Sequence, residues 1–557
     1  MLKVDSELVV GKLLYLGVPA VTLLVTGFAN YDPVNVPKMF LLSGIAFSAL
    51  FLLFHSGIKS IWKENKFLIS LWIIFIIAGA ISVVFSQAPW TQNFYGTFGR
   101  NTGYLTYIAL SILLIAAASV RKTTTYDRLV LGLIFAGVVN VFLCSLELMG
   151  INIFGFNNIY GNILGTFGNP NFISSFLGMF IATYLAYIFK PGAPQISRLA
   201  ALPLLAMAFY EILDSKSIQG LFVTGIGTGL VGFFVIREHL KKAYFQITYL
   251  LLVSIAGSAA VLGALQIGPL TKYIYKASIS LRGEYWAAGL VMGKNHLFGG
   301  VGFDTYGDWY RRARSASAMI LPGATTVSNS AHNVNIELFA SAGITLIIPY
   351  LLINFYAAYL VVKTVFKLRS YNGTYYALIT AWVCYQAQAL ISINQIGIAI
   401  WGWVLTGSLI GYSKLMRHPE EVQPQSLKKK SVRNVQSASI SLVSAIGLAT
   451  GLAVAFPAYY ADVSWRSALR SSSIETVLAA AHRWPLDSYR ISNAALLFEQ
   501  NKFPQQAYEM GKLGVKVNPY YFDAWKVMNV LSLSTQKEKE MAIAKMHELD
   551  PRNLKLE

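Results

Sequence analysis

Apolar runs of about twenty residues recur along most of this 557-residue chain, separated by polar stretches. Wound as a helix, a run of that length crosses the roughly 30 Å hydrocarbon core of a bilayer. The pattern predicts about thirteen spans in an all-α, polytopic membrane protein. They start near Leu8, Met39, Phe67, Tyr104, Leu129, Phe172, Leu199, Ile218, Ala243, Ile336, Tyr375, Ile396 and Ser439. The first run, about Leu8 to Phe28, has no small-residue cleavage site and is expected to remain as a helix. One polar interval is long, about Gly268 to Asn335, between the ninth and tenth spans.

After the last span the pattern changes. Residues 462–557 are mixed in charge and helix-periodic, and are expected to form a second domain beside a membrane domain of residues 1–461. Trp484-Pro485 recurs as Asn518-Pro519 after 34 positions, and Asp550-Pro551 follows after a further 32. That spacing and the proline ending are those of tetratricopeptide helix pairs. Ala494, Ala495, Ala507 and Tyr508 fall where such pairs pack. So few repeats make a poor free-standing solenoid, so this piece is expected to lean on the membrane domain or on a protein partner.

Composition agrees with a membrane protein. Hydrophobic residues make up 55% of the chain and charged residues 13%, about half the charged share of soluble domains. The net charge of +19 would suggest nucleic acid in a soluble protein, but its distribution gives another reading, and no nucleic acid is expected. Alternate loops are basic. The set "KSIWKENK", "RKTTTYDR", "KPGAPQISR", "REHLKK", "KTVFKLRS" and "KLMRHPEEVQPQSLKKKSVR" holds 20 Lys and Arg. The short loops of the other set hold 3. The positive-inside rule then makes the first set and the N-terminus cytoplasmic, and the C-terminal domain external. The long loop carries Lys272, Lys276, Arg282, Lys294, Arg311, Arg312 and Arg314; long loops do not count in the rule, so these residues need another explanation. Cys144 and Cys384 both lie in apolar runs, which makes a disulfide framework or a metal cluster improbable.

Few charges lie inside the spans, Glu147 and Glu211 near external ends among them, and polar groups gather in external loops. That favours a reaction at the membrane surface over an ion pathway through the bilayer. Four stretches stand out: "YGTFGRNTGY" with Arg100, "GTFGNPNF" with Asn169 and Asn171, "SISLRGEYW" with Arg282 and Glu284, and "SNSAHNVNIELF" with His332, Asn333 and Asn335. A fifth, "EILDSKSIQG", offers Lys216 and Gln219. Each has a plainer reading. Arg100 and Lys216 can snorkel to headgroups, Asn169 and Asn171 can be turn residues around Pro170, Arg282 can be a surface charge, and His332 can cap a helix. "GGVG" at 299–302 follows no strand pattern and reads as a turn. Taken together, external arginines beside a lone histidine suit transfer from a sugar diphosphate. Guanidiniums hold the departing phosphates in bidentate contacts, and histidine is the usual base near neutral pH. Neither a metal nor another cofactor is called for.

At these residues the chain resembles the O-antigen ligase and O-antigen polymerase superfamily, which includes bacterial O-linked protein oligosaccharyltransferases. The likeness rests on "GTFGNPNF", "LRGEYW…FGGVGFDTY" and "SAHNVNIELFASAGI", and is strongest from about Gly161 to Gly343. It implies a glycosyltransferase of the bacterial inner membrane that moves glycan from undecaprenyl diphosphate to a glycan, lipid or protein acceptor. It also implies His332 as acceptor base, Arg282 as diphosphate ligand and Arg100 as a further loop arginine. Asn333 and Asn335 would hold the His332 tautomer or the sugar, and Glu284 and Glu337 are the next candidates for a base. Members often carry an arginine in an "SRG"-like stretch near the eighth span. Here that stretch is "SKSIQG", where Lys216 or Gln219 would stand in without the guanidinium fork. Two other readings compete. A polysaccharide transporter would need a polar path, for which Gln386, Gln388, Asn394 and Gln395 are the notable set. A structural assembly protein would use the repeats as a scaffold and leave the Arg and His positions without a purpose.

Overall fold

The computed structural model describes residues 4–155, 158–274, 277–417, 432–471 and 473–554. Lys276 and the basic run 418–431 lie outside the described residues. Every regular element among the described residues is helical. Among the described residues, eleven helices are long and apolar enough to cross a membrane. They are α1 (Asp5–Leu23), α2 (Asn35–Ser56), α3 (Lys59–Phe85), α5 (Thr123–Leu148), α6 (Pro170–Ile188), α7 (Gln195–Asp214), α8 (Ile218–His239), α9 (Ala243–Ala264), α12 (Val334–Val365), α14 (Ile396–Arg417) and α15 (Ala438–Ser471). The other two expected spans are also helices, but short: α4 (Tyr104–Ala118) and α13 (Gly373–Ala389). At 1.5 Å per residue α4 is only about 22 Å long. Both are sheltered at the centre of the bundle, where α4 is buried throughout. Polar ends that lie against protein need not reach a membrane surface.

The fully buried α14 is the hub, packed on α4, α12 and α13. The two sets of loops separate to opposite ends of the bundle. At the basic end Glu7 accepts the backbone N–H groups of Arg121 and Lys122, and Arg121 pairs with Glu64 at 2.7 Å. At the other end, here called the His332 end, Asn35 reaches Gly99 and Gln395, and Gln92 reaches Asp308. The long loop at this end is mostly structured, with α10 (Ala277–Asn295) and α11 (Tyr306–Ala313).

The last long helix lies along α2 and runs on past it. The domain boundary expected at 461/462 therefore falls inside one continuous helix. Trp465 and Ala468, still on α15, already belong to the core of the C-terminal helices. That core is built by α16 (Ile474–Ala481) and two helix pairs, α17 (Ser488–Gln500) with α18 (Pro504–Val517) and α19 (Phe522–Val530) with α20 (Gln536–Leu549). Ala494, Ala495 and Ala507 are fully buried between the first pair, where only a methyl group fits, and Tyr508 packs at its edge.

Candidate functional site

His332 owes its position to a break in α12. The first turns, Val334 to Ala342, form a separate half-helix, because Gly343 takes a left-handed backbone (φ +68) with non-helical ψ. The break frees backbone groups, and the turn 297–302 fills it. Val301 and Gly302 donate to the carbonyls of Ala340 and Ser341 at 2.8 Å, and Ile344 donates to Leu297 at 2.7 Å. A side chain at Gly300 would strike the backbone of Ser341, so "GGVG" is a packing turn. Asn333 caps the half-helix, its Oδ1 accepting from the N–H groups of Asn335 and Ile336. His332 thus stands at the positive end of a helix that starts inside the protein, a geometry that favours nearby anions.

The turn before the cap is fixed from within. Glu337 accepts from Ser330 Oγ (2.9 Å) and Ala331 N–H (2.7 Å), and Ser330 Oγ accepts the N–H of His332 at 3.0 Å. This holds His332 itself in a left-handed conformation (φ +51). For a residue with a side chain that conformation costs about 1–3 kcal/mol and persists only where neighbours impose it.

Helix α10 supplies the opposite wall. A β-carbon at Gly289 would lie 2.6 Å from Ile336 Cγ2, and one at Gly293 would lie 2.4 Å from the Phe339 ring. Two glycines one turn apart thus let α10 press against the half-helix. One turn earlier on that face is Tyr285, whose ring centre is 5.5 Å from that of His332, and then Arg282. Tyr306 holds this turn through a 2.5 Å bond to the Tyr285 carbonyl. Arg282 has no hydrogen-bond or carboxylate partner among the described residues, and burial lowers its pKa to about 10. Burial, then the charges of Arg282 and Arg100, lowers the His332 pKa to about 4. The imidazole is therefore neutral at neutral pH. Its ring makes no hydrogen bond to a described residue, which leaves it able to accept a proton from something bound.

Arg100 sits beside this group but is committed elsewhere. Its side chain is 5% exposed and pairs with Glu337 (3.5 Å) and Asp304 (3.6 Å), and it also donates to the Asn329 carbonyl. Asp304 is held in turn by Thr97 and Thr102. Arg100 therefore ties three loops together behind His332 and lends it positive charge. The expected substrate contact is not in this geometry, and Glu337 is equally occupied.

The other expected residues divide in the same way. Asn169 is the N-cap of α6, and Asn171 Oδ1 accepts from Ser217 Oγ at 2.8 Å. Asn333, besides capping, donates to the Leu390 carbonyl at 3.0 Å, and so does not hold the His332 ring. Gln219 donates to the next carbonyl, Ile391, at 3.1 Å, which brings the "SKSIQG" stretch to the same turn; its buried Oε1 has no partner. Lys216 is exposed, with φ +53. Glu284 points away from His332 and accepts from Ser315 and Ser317. Asn335, three positions after His332, is half-buried, and its N–H donates to Asn333 Oδ1. The amides weighed as a transport path are spent between helices. Gln386 bonds Asn354, Asn394 bonds Tyr107 and Tyr385, and Gln395 bonds Asn35.

The loop arginines that needed an explanation hold the C-terminal helices. Arg314, 0% exposed, donates to both carboxylate oxygens of Asp550 at 2.6 Å, and Arg311 adds a contact at 3.2 Å while lying 4.0 Å over the Phe522 ring. Arg312 lies 3.6 Å over Trp309 and 5.1 Å from Tyr520. Asn518 bonds Gln92 and Asp308, and Asp462 accepts from Asn30 and from the N–H groups of Tyr31 and Asp32. Sequence reading missed Tyr285, Asp304 and Asp550. Tyr285 was within reach, since three positions after Arg282 on a helix is the same face. Asp550 carried no such signal, because its partner is 236 residues away.

No protein-family model matches this chain, and no curated protein matches it.

Proposed function

We propose that the chain is a membrane glycosyltransferase of the O-antigen ligase and polymerase type. It would carry a glycan from undecaprenyl diphosphate to an acceptor hydroxyl at the outer face of a bacterial inner membrane. On this reading the chain crosses the membrane thirteen times, with α4 and α13 as short central spans. The basic loops are cytoplasmic by the positive-inside rule, and the His332 end and the C-terminal helices are external. The observation that carries the proposal is a neutral His332 beside Arg282 of the facing helix α10, both without a hydrogen-bond or carboxylate partner among the described residues.

Arg282 and the N-terminus of the half-helix bind the diphosphate and stabilise the charge that grows on it as the sugar leaves. The acceptor oxygen attacks the anomeric carbon. The bond from that carbon to the diphosphate oxygen breaks, and its electron pair leaves with undecaprenyl diphosphate. The acceptor proton passes to His332 Nε2 or Nδ1. Binding of the dianionic donor offsets the Arg282 charge, which raises the basicity of the imidazole at the moment it is needed. The acceptor is a glycan, lipid or protein, and a protein-glycosylating enzyme is the variant of this reading in which the acceptor is a protein.

The test is transfer by purified protein in detergent, with lipid-linked glycan as donor. His332→Ala is expected to lower the rate about 10²–10⁴-fold, the usual share of a positioned acid–base group, with donor affinity little changed. Arg282→Lys is expected to weaken donor binding, because a point charge replaces a fork. Wild-type transfer by His332→Ala overturns the proposal.

A further inference from the structure

A cavity of about 330 Å³ lies between the membrane helices and the C-terminal helices, on the far side of the Arg100 network from His332. One wall comes from the loops at 89–101 and 304–311, together with Asn329; the other comes from α15, α17 and α19. The volume is at the lower end of small-molecule sites. Asn329 is both a lining residue and the acceptor of an Arg100 bond, and stands three positions before His332. Neither His332 nor Arg282 lines this space.

Three groups in the lining are buried and unsatisfied: Asn101 Oδ1, Trp465 Nε1 and Arg490 Nε. Their residues are 5%, 3% and 7% exposed. Burying a polar atom without a partner costs about 1–3 kcal/mol, but these three are closed even to water, so a ligand in the cavity finds its polar contacts on the other amides, carboxylates and hydroxyls of the lining. The ligand must both give and take hydrogen bonds. The walls also carry the carboxylates of Asp304, Asp308, Asp462, Asp487 and Asp523 against the guanidiniums of Arg311 and Arg490, a balance that repels phosphate. Most of those carboxylates already accept from neutral donors, as Asp308 does from Gln92 and Asn518 and Asp462 does from the 30–32 turn. They are poorly placed to hold a cationic peptide. Aromatic faces complete the wall: Phe98 stacks on Tyr489 at 4.9 Å and 6°, and Tyr489 remains 37% exposed. Flat aromatic surface beside amides and carboxylates suits the apolar face and hydroxyl edge of a pyranose.

We propose that this cavity binds a neutral saccharide, and that this saccharide is the acceptor end of a glycan. The second half rests on the transferase reading given above; the binding itself does not. The C-terminal helices then serve as one jaw of a sugar site whose other jaw is the membrane domain.

The experiment is titration of the full chain in detergent, without donor, with polysaccharide released by mild acid from the envelope of the producing cells. Binding is followed by tryptophan fluorescence and calorimetry. Wild type is expected to bind. Tyr489→Ala is expected to lose about tenfold or more in affinity, while Tyr489→Phe, which keeps the aromatic face, is expected to bind like wild type. Gly307→Phe provides an independent block. Gly307 lines the cavity, and a β-carbon there meets only Asn329 atoms, at an ordinary 3.5 Å, so a large side chain at this position competes with a ligand for the space. Gly307→Phe is expected to abolish binding and leave the melting temperature unchanged. Absence of saccharide binding by wild type, undiminished binding by Gly307→Phe, or preferential binding of a lysine-rich peptide each overturns the proposal. Because no donor is present, these results are independent of whether His332→Ala loses transfer.

Discussion

Asp550→Ala is expected to loosen the last two helices from the membrane domain. The wild-type carboxylate receives two 2.6 Å bonds from Arg314 and a 3.2 Å contact from Arg311, with Arg314 and Asp550 both 0% exposed. Removing it leaves a buried guanidinium whose Nε is already without a partner and whose remaining bonds go to the Ala324 and Thr326 carbonyls. Stripping one partner from such a pair costs about 3–5 kcal/mol. If the whole cost falls on docking, the closed state loses about two to three and a half powers of ten. Hydrogen exchange in detergent measures this locally. Amides of α11, α19 and α20 are expected to lose protection. Those of the Asn30–Asp32 turn should keep it, because Asp462 anchors that side separately. The double variant Arg314→Met, Asp550→Leu is expected to restore most of the protection, since an apolar pair of similar size avoids the stranded charge. Unchanged exchange in Asp550→Ala, or a double variant no better protected than the single one, refutes this account of the anchor.

Four further outcomes follow from the site. The His332 imidazole should titrate near 4 rather than near 6.5, and Arg282→Gln should raise that midpoint by removing a positive neighbour; nitrogen-15 NMR of histidine-labelled protein reads it, and a wild-type midpoint near 6.5 counts against the arrangement. Because the depressed value belongs to the donor-free enzyme, transfer at limiting donor should persist to about pH 5 and fail as the pH drops through the midpoint, whereas at saturating donor, where the bound anion makes the imidazole more basic, it should fail at a higher pH. Gly289→Leu should push α10 away from Ile336 and cost about 10²-fold in transfer, the scale of a 1 Å misplacement; near-normal transfer would show that the approach of α10 is irrelevant. Arg100→Met should strand the buried carboxylates of Glu337 and Asp304 and destabilise the protein by about 3–5 kcal/mol. A variant that melts like wild type but binds donor poorly would instead return Arg100 to the substrate-contact role.

Hydrophobic periodicity carried the helices almost completely, because each span is a local property of some twenty consecutive residues. It missed lengths at α4 and α13, since apolar runs look the same whether they face lipid or are sealed inside the bundle. It also divided α15 at 461/462, where composition changes but the backbone hydrogen bonding does not. The site was legible in part for the same reason. His332 and Arg282 stand out in their own short stretches; Asn333, expected beside the His332 ring, instead caps the half-helix, and the close approach of α10 at Gly289 and Gly293 emerges only in the fold. What could not be read was which charges would cancel. Arg100 and Arg282 look alike in sequence, as external arginines among glycines and aromatics. The fold separates them by partners 200 and more positions away, Asp304 and Glu337 for one and none among the described residues for the other.

On the proposed reading that difference matters, because an arginine already paired with two buried carboxylates has little left to offer a phosphate, whereas one with no carboxylate partner among the described residues keeps its charge for an anion. The same logic explains why the basic loop does not behave as one positive surface. Arg311, Arg312 and Arg314 are consumed by Asp550 and by aromatic faces of the C-terminal helices. Their consumption leaves Arg282 without a basic neighbour among the loop's arginines to compete for an anion. Among the described residues, the loop of a chain of net charge +19 thereby sets beside the His332 imidazole a guanidinium, Arg282, with no carboxylate partner. In the proposed transferase, charge neutralisation elsewhere in the loop would then help make the site specific, with the C-terminal helices withdrawing charge from the surface they cover.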